Sequence, residues 1–199
     1  MVSRYAARAG ANSRADRLTV KFICKGGTRF VSRPCVFIMP IQKDTLYLSA
    51  GVPQLENYLL SKELYYPLSL ELPQLTLGGV LLSLARMGTY AAEFEQQVET
   101  IHSKWQSAWD AKSSREVRAR SELWVNYLAE YRRDSKSGAR LYPQNVRYRA
   151  MLSLLGKTED DSDFFVKSVF KEGKFVWEEE CAPNFSREKF WFLYGTLKE

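Results

Sequence analysis

Residues 89–134, TYAAEFEQQVETIHSKWQSAWDAKSSREVRARSELWVNYLAEYRRD, contain neither proline nor glycine and are rich in the Ala, Glu, Gln, Lys and Arg side chains that lose least on entering a helix. The run predicts one long helix, which at 1.5 Å per residue would extend about 67 Å if straight. A compact chain of this size has a radius of gyration of roughly 16 Å, so the helix protrudes, pairs with a second chain, or breaks. Its apolar residues fall in two stripes. Phe94, Val98, Ile101, Trp105 and Ala108 follow one line, and Val117, Trp124, Leu128 and Tyr131 follow another, about 120° around the axis. Between them Lys112-Ser-Ser-Arg-Glu116 is polar throughout. The two halves therefore face different partners, or the helix bends near Ser113 and Ser114.

Toward the amino terminus, residues 76–87 carry Val80, Leu81, Leu82 and Leu84 and suit a buried helix. Gly78 and Gly79 near its start allow close backbone contact, and Gly88 stops it. Residues 65–73, YYPLSLELP, contain two prolines and alternating leucines and read as extended chain wrapping the core. Residues 53–60 open with proline and place Leu55, Tyr58 and Leu59 on one side of a short helix. Toward the carboxyl terminus, Ser-Lys-Ser-Gly138 and Pro143 mark residues 135–143 as a loop. An amphipathic helix follows over 144–155, with Val146, Met151, Leu152 and Leu155. The acids of Thr158-Glu-Asp-Asp161 open another, bearing Phe164, Phe165, Val166, Val169 and Phe170. Ser186 is placed to cap a last helix with Phe190, Trp191, Leu193, Tyr194 and Leu197.

The chain of 199 residues is 45% hydrophobic and 26% charged, enough to bury one core or two small ones. Its net charge of +6 is unevenly placed. Residues 1–38 hold eight basic side chains and one acid, a balance of +7, while the remainder, with 21 basic and 22 acidic, stands at −1. This basic segment resembles a β-hairpin, with apolar runs at 18–24 and 30–38 around a Gly-Gly turn and Pro34 restricting the second strand to an edge. It admits three readings: an extension upstream of a natural start at Met39, a transit-like targeting segment, or a functional basic arm. The fold expected is thus mainly α: a helical domain over residues 39–199, organised around one long helix, straight or bent, behind a basic hairpin-like extension over 1–38. Cys24, Cys35 and Cys181 are odd in number and form no CxxC pair, which speaks against a disulfide framework or a zinc ribbon and for a reducing, cytoplasmic setting. The most apolar window, between Glu71 and Arg86, is interrupted by Pro73 and falls short of the roughly 20 residues of a membrane span.

The familiar phosphate-cradling, nucleophile-elbow, metalloprotease and calcium-loop spacings do not occur. His102 is the sole histidine and reads as a surface or boundary residue. The acids at 159–163 and 178–180 read as solvated runs rather than a Mg²⁺ site, and the carboxyl-terminal aromatics as core rather than a base-stacking platform. No catalytic, metal or cofactor-binding residue is therefore singled out, and no cofactor is expected. Two surfaces remain. The stripe Val117, Trp124, Leu128 and Tyr131 is a candidate apolar docking face for a protein partner or a second copy. Lys104, Arg115, Arg118 and Arg133 project within about 60° of one another, interrupted mainly by Glu122, as a candidate face for phosphates or an acidic partner. Against this second face stand the pairs Glu116–Arg120 and Arg118–Glu122, spaced as on an ordinary solvated helix, and the acidic runs, which are available to cover it. The leading expectation is a non-catalytic helical interaction or structural protein. The alternative is a nucleic-acid-binding protein using the basic arm and the basic helix face.

Overall fold

A computed structural model describes residues 41–156, 174–177, 182 and 184–198. They are mainly helical: α1 (Ile41–Gly51), α2 (Leu55–Leu60), α3 (Leu77–Met87), α4 (Ala92–Lys104), α5 (Gln106–Arg133) and α6 (Ser135–Leu154), with short 3-10 turns at Val52–Gln54 and Gly88–Ala91. No described helix is long and apolar enough to cross a membrane. The hairpin and charge boundary of residues 1–38, Met39, the helix expected after Thr158, the acidic runs and the three cysteines lie outside the described residues.

The long helical run breaks, but at Trp105 and not at Ser113-Ser114. Trp105 has φ −122° and ψ 34°, outside the helical range, yet its N–H still reaches Ile101 O at 2.9 Å and its carbonyl accepts from Trp109 N at 2.9 Å. The bend lets α4 follow one core while α5 continues toward another. Phe94, Val98, Ile101, Trp105 and Ala108 all pack with α1, α2 and α3. Trp124, Leu128, Tyr131 and the partly buried Val117 pack instead with α6 and the carboxyl-terminal segment. Both stripes thus find their different partners inside one chain. Ser113 and Ser114 sit in unbroken helix, where Lys112 and Glu116 beside them are buried and fixed by hydrogen bonds.

Residues 135–143 are helix, where sequence spacing suggested a loop. Asp134 ends α5 and caps α6, its Oδ1 accepting from Lys136 N at 3.1 Å and Ser137 N at 3.2 Å. Gly138 is there for space: a Cβ on it would lie 2.7 Å from the Tyr131 Cα, so only glycine lets the two helices meet so near their turn. Pro143 lies within α6, where packing along α5 outweighs its missing N–H.

The expected final helix is also replaced. A single turn at Trp191–Leu193 leads into β2 (Gly195–Leu197), antiparallel to β1 (Phe175–Trp177) with Phe175 opposite Leu197 and Trp177 opposite Gly195. A Cβ at Gly195 would fall 2.2 Å from Val176 O, so glycine is what allows the strands to close, and this pairing overrides the local helical spacing. The segment before α3 is irregular as its prolines require, but it doubles back. Tyr66 and Leu75 exchange backbone hydrogen bonds of 3.1 and 2.7 Å, leaving Leu70 between them fully exposed.

Candidate functional site

The start of α3 organises the polar interior. Thr76 Oγ1 caps the helix by accepting from Gly79 N at 3.0 Å. The next two N–H groups, of Leu77 and Gly78, donate to the Glu116 carboxylate at 2.6 and 2.9 Å. A helix amino terminus carries partial positive charge, which favours an anion there. Arg120, one turn along α5, donates to Glu116 Oε2 at 2.7 Å and to Thr76 Oγ1 at 2.9 Å, and the Tyr58 hydroxyl donates to Glu116 Oε1. Lys112 donates to the carbonyls of Ser61 and Glu63 at 2.9 and 2.7 Å while lying over the Tyr58 ring. Burial, reinforced by the neighbouring carboxylate, holds the Tyr58 phenol well above its ordinary value, and burial lowers the Lys112 ammonium. The Glu116–Arg120 pair, expected on a solvated face, is therefore a buried core pair, with Glu116 fully buried. The other expected pair, Arg118 with Glu122, is not formed among the described residues. Gly78 and Gly79 admit the close approach expected of them: a Cβ at Gly78 would lie 3.1 Å from Met151 Cβ, and one at Gly79 2.6 Å from the Tyr47 hydroxyl.

Beside this network lies a cleft of about 460 Å³. Its floor is α3, where the small residues Gly79 and Ser83, one turn apart, leave room beside Leu82. Tyr47 and Leu46 of α1 form one wall, Arg147 and Met151 of α6 the other, and Leu72, Pro73 and Gln74 cover it. In its lining, buried Asp44 of α1 binds Arg86 of α3, accepting from Nε at 3.0 Å and from a terminal nitrogen. The Tyr47 hydroxyl donates to Gln74 O at 3.2 Å and accepts from Thr76 N at 3.3 Å; burial pushes this phenol up to about 12.

The candidate residues drawn from the sequence are scattered relative to this cleft. Trp124, Leu128 and Tyr131 are buried against α6 and the carboxyl-terminal aromatics, and Val117 is partly buried with them. Their apolar area is already used within the chain, which corrects the expectation that this stripe docks another protein. Of the four cations, only Arg115 and Arg118 share a surface, a shallow depression of about 360 Å³ with Leu64, Ser114, Ala119 and Glu122. Arg115 also donates to Lys62 O at 2.8 Å. Lys104 lies before the bend and pairs with Glu56 at 3.0 Å, lowering that carboxyl below its usual range. Arg133, about 27 Å along α5 from Arg115, lies 3.8 Å from Glu130. His102 packs against Trp109 with ring centres 4.6 Å apart and planes tilted by 38°, and no metal-competent group of three or more His, Cys, Asp or Glu occurs among the described residues.

The sequence reading missed Asp44, Tyr47, Ser83, Arg86 and Arg147. Asp44 and Arg86 are 42 positions apart, so no local pattern joins them. The one available signal was the pair of small residues, Gly79 and Ser83, spaced by four on an otherwise leucine-rich helix. No protein-family model, curated protein or solved structure matches this chain.

Proposed function

We propose that this chain is a non-catalytic helical interaction protein whose partner docks at the mouth of the cleft between α1, α3 and α6. The observation that carries this reading is the apolar rim. Leu46, in the lining of the cleft, is 61% exposed and stands with Leu72 and Pro73 around inner polar groups that are already hydrogen-bonded to one another. Exposed apolar side chains around a concave site mark interaction sites. Leu46 and Pro73 remain exposed at this lining, and a protein segment would cover them together with the cavity. The odd thiol count supports a cytoplasmic setting as part of the same proposal.

The test compares the proteins that co-purify with the full chain and with its Leu46→Glu variant, identified by mass spectrometry. Because Leu46 is largely exposed, the variant is expected to melt as the parent does and to lose its partner; a partner retained at parental level would overturn the reading. The paired exposure of Arg115 and Arg118 beside Ser114 favours nucleic-acid binding as the second reading. Under it, binding weakens steeply with salt and disappears in the double variant Arg115→Glu, Arg118→Glu. Under the reading proposed, that double variant retains its protein partner.

A further inference from the structure

We propose that the segment seated in this cleft is a short acidic peptide with two or more apolar side chains, its carboxylates held between Lys43 and Arg147. The inference rests on the cleft being a protein-docking site, and it adds the chemistry of the partner. A cavity of about 460 Å³ falls in the size range of ligand pockets and exceeds what one aliphatic side chain fills. Its lining is mostly apolar, from Leu46, Leu72, Leu82 and Met151.

Charge sets the sign of the occupant. Of the ionic groups in the lining, Asp44 and Arg86 neutralise each other. Lys43 on α1 and Arg147 on α6 stand on opposite walls, and neither has a carboxylate within ion-pair distance among the described residues. Arg147 uses its Nε on Gln144 O at 3.3 Å. The remaining ionic group, Glu71, lies on the covering loop, so the cleft keeps an excess of one positive charge over an apolar floor. Such a site attracts acids flanking apolar anchors and repels basic peptides, because like charges brought together at an interface are costly.

A random peptide library displayed on phage and selected against the full chain tests this. The selected peptides are then synthesised and titrated against the parent and three charge or rim variants. The result expected is enrichment of peptides in which Asp or Glu flanks at least two apolar residues. Arg147→Glu should weaken them about tenfold, in line with an interfacial charge of this kind, and Leu46→Glu should abolish their binding. Lys136→Glu, about 16 Å away along α6, should leave it unchanged. Peptides that need Leu46 but carry no acidic preference, or that bind Arg147→Glu or Lys136→Glu in any other order, overturn the charge assignment while the docking site stands. Selection of no peptide that depends on Leu46 overturns both. Parental melting of each variant shows that the fold is intact.

Discussion

Helix α5 serves two cores that are fastened in different ways. Its first half faces α1, α2 and α3, and there the strongest contacts are ionic: Glu116 and Arg120 are buried at the α3 amino terminus, and Lys112 is bonded to the carbonyls that follow α2. Its second half faces α6 and the carboxyl-terminal strands through rings. Trp124 stacks on Tyr127 at 5.3 Å, and Phe192 meets Phe190 and Trp191 at 6.1 and 5.8 Å. The rings gain mainly from buried area, a non-directional contribution, with a smaller preference for stacked and edge-to-face arrangements. In a buried ion pair, by contrast, each member depends on the other for its solvation. The difference teaches where the fold is specified. The position of α3 relative to α5 is fixed by donor and acceptor geometry.

The largest effect should follow from breaking the ionic centre. Glu116→Ala leaves Arg120, Tyr58 and two helix N–H groups without their acceptor, and loss of one member of a buried pair costs about 3–5 kcal/mol. Phe192→Ala in the other region removes a fully packed ring, at a comparable cost of about 3–5 kcal/mol. Urea unfolding distinguishes the two through double variants. Adding Arg120→Met to Glu116→Ala should recover part of the loss, since the stranded charge is gone, whereas no second substitution recovers the cavity left at Phe192. Full additivity of the Glu116 and Arg120 changes would show that they do not act as a pair. Trp191, only partly buried, should lose less than Phe192 when truncated.

Alkaline pH loads the two regions differently. Tyr47 and Tyr58 lie in the first, Tyr127 in the second, and burial raises all three phenols above the ordinary value near 10. Below that value they are protonated whether the chain is folded or not, and pH has no leverage. Above it the unfolded chain releases protons that the folded chain keeps, so stability falls as pH rises. For Tyr47 the fall continues to its folded value of about 12 and amounts to about 3 kcal/mol. Tyr47→Phe should therefore flatten the decline in stability between pH ~10 and ~12. An unchanged slope in that variant would mean that the phenol ionises in place.

Much of this arrangement was legible in the sequence, and the rest was lost for identifiable reasons. The two stripes of residues 89–134 were visible because angular position on a helix is fixed by spacing alone. Their different orientations correctly implied different partners, and the error was to place one of those partners outside the chain. Helix α3, its tight glycines and its end at Gly88 were equally local. The burial of Glu116 and Arg120 was not, since a spacing of four suits a surface pair and only the distant Leu77 and Gly78 N–H groups make it a core pair. The strand at Gly195 depends on Val176, and the Asp44–Arg86 contact in the cleft on two helices joined across 42 positions. In each case a long-range partner overrode a local preference.

Gly138 offers the smallest effect and the most discriminating sign. In a helix interior alanine is favoured over glycine by about 1 kcal/mol, so local propensity alone predicts that Gly138→Ala stabilises. The geometry predicts the reverse. The new methyl group would lie 2.7 Å from the Tyr131 Cα and Cβ positions, and backbone cannot swing aside as a flexible side chain does. Helices α5 and α6 must separate at their turn, stretching the 3.0 Å bond from the Tyr127 hydroxyl to Gly138 O and loosening the ring stack behind it. Overpacking of this kind costs about 1–3 kcal/mol, which exceeds the propensity gain, so urea unfolding should show a net loss and hydrogen exchange should rise at the α5–α6 turn. A gain in stability would mean that the helices do not approach so closely there, and would return residues 135–143 to the loop that their composition suggested.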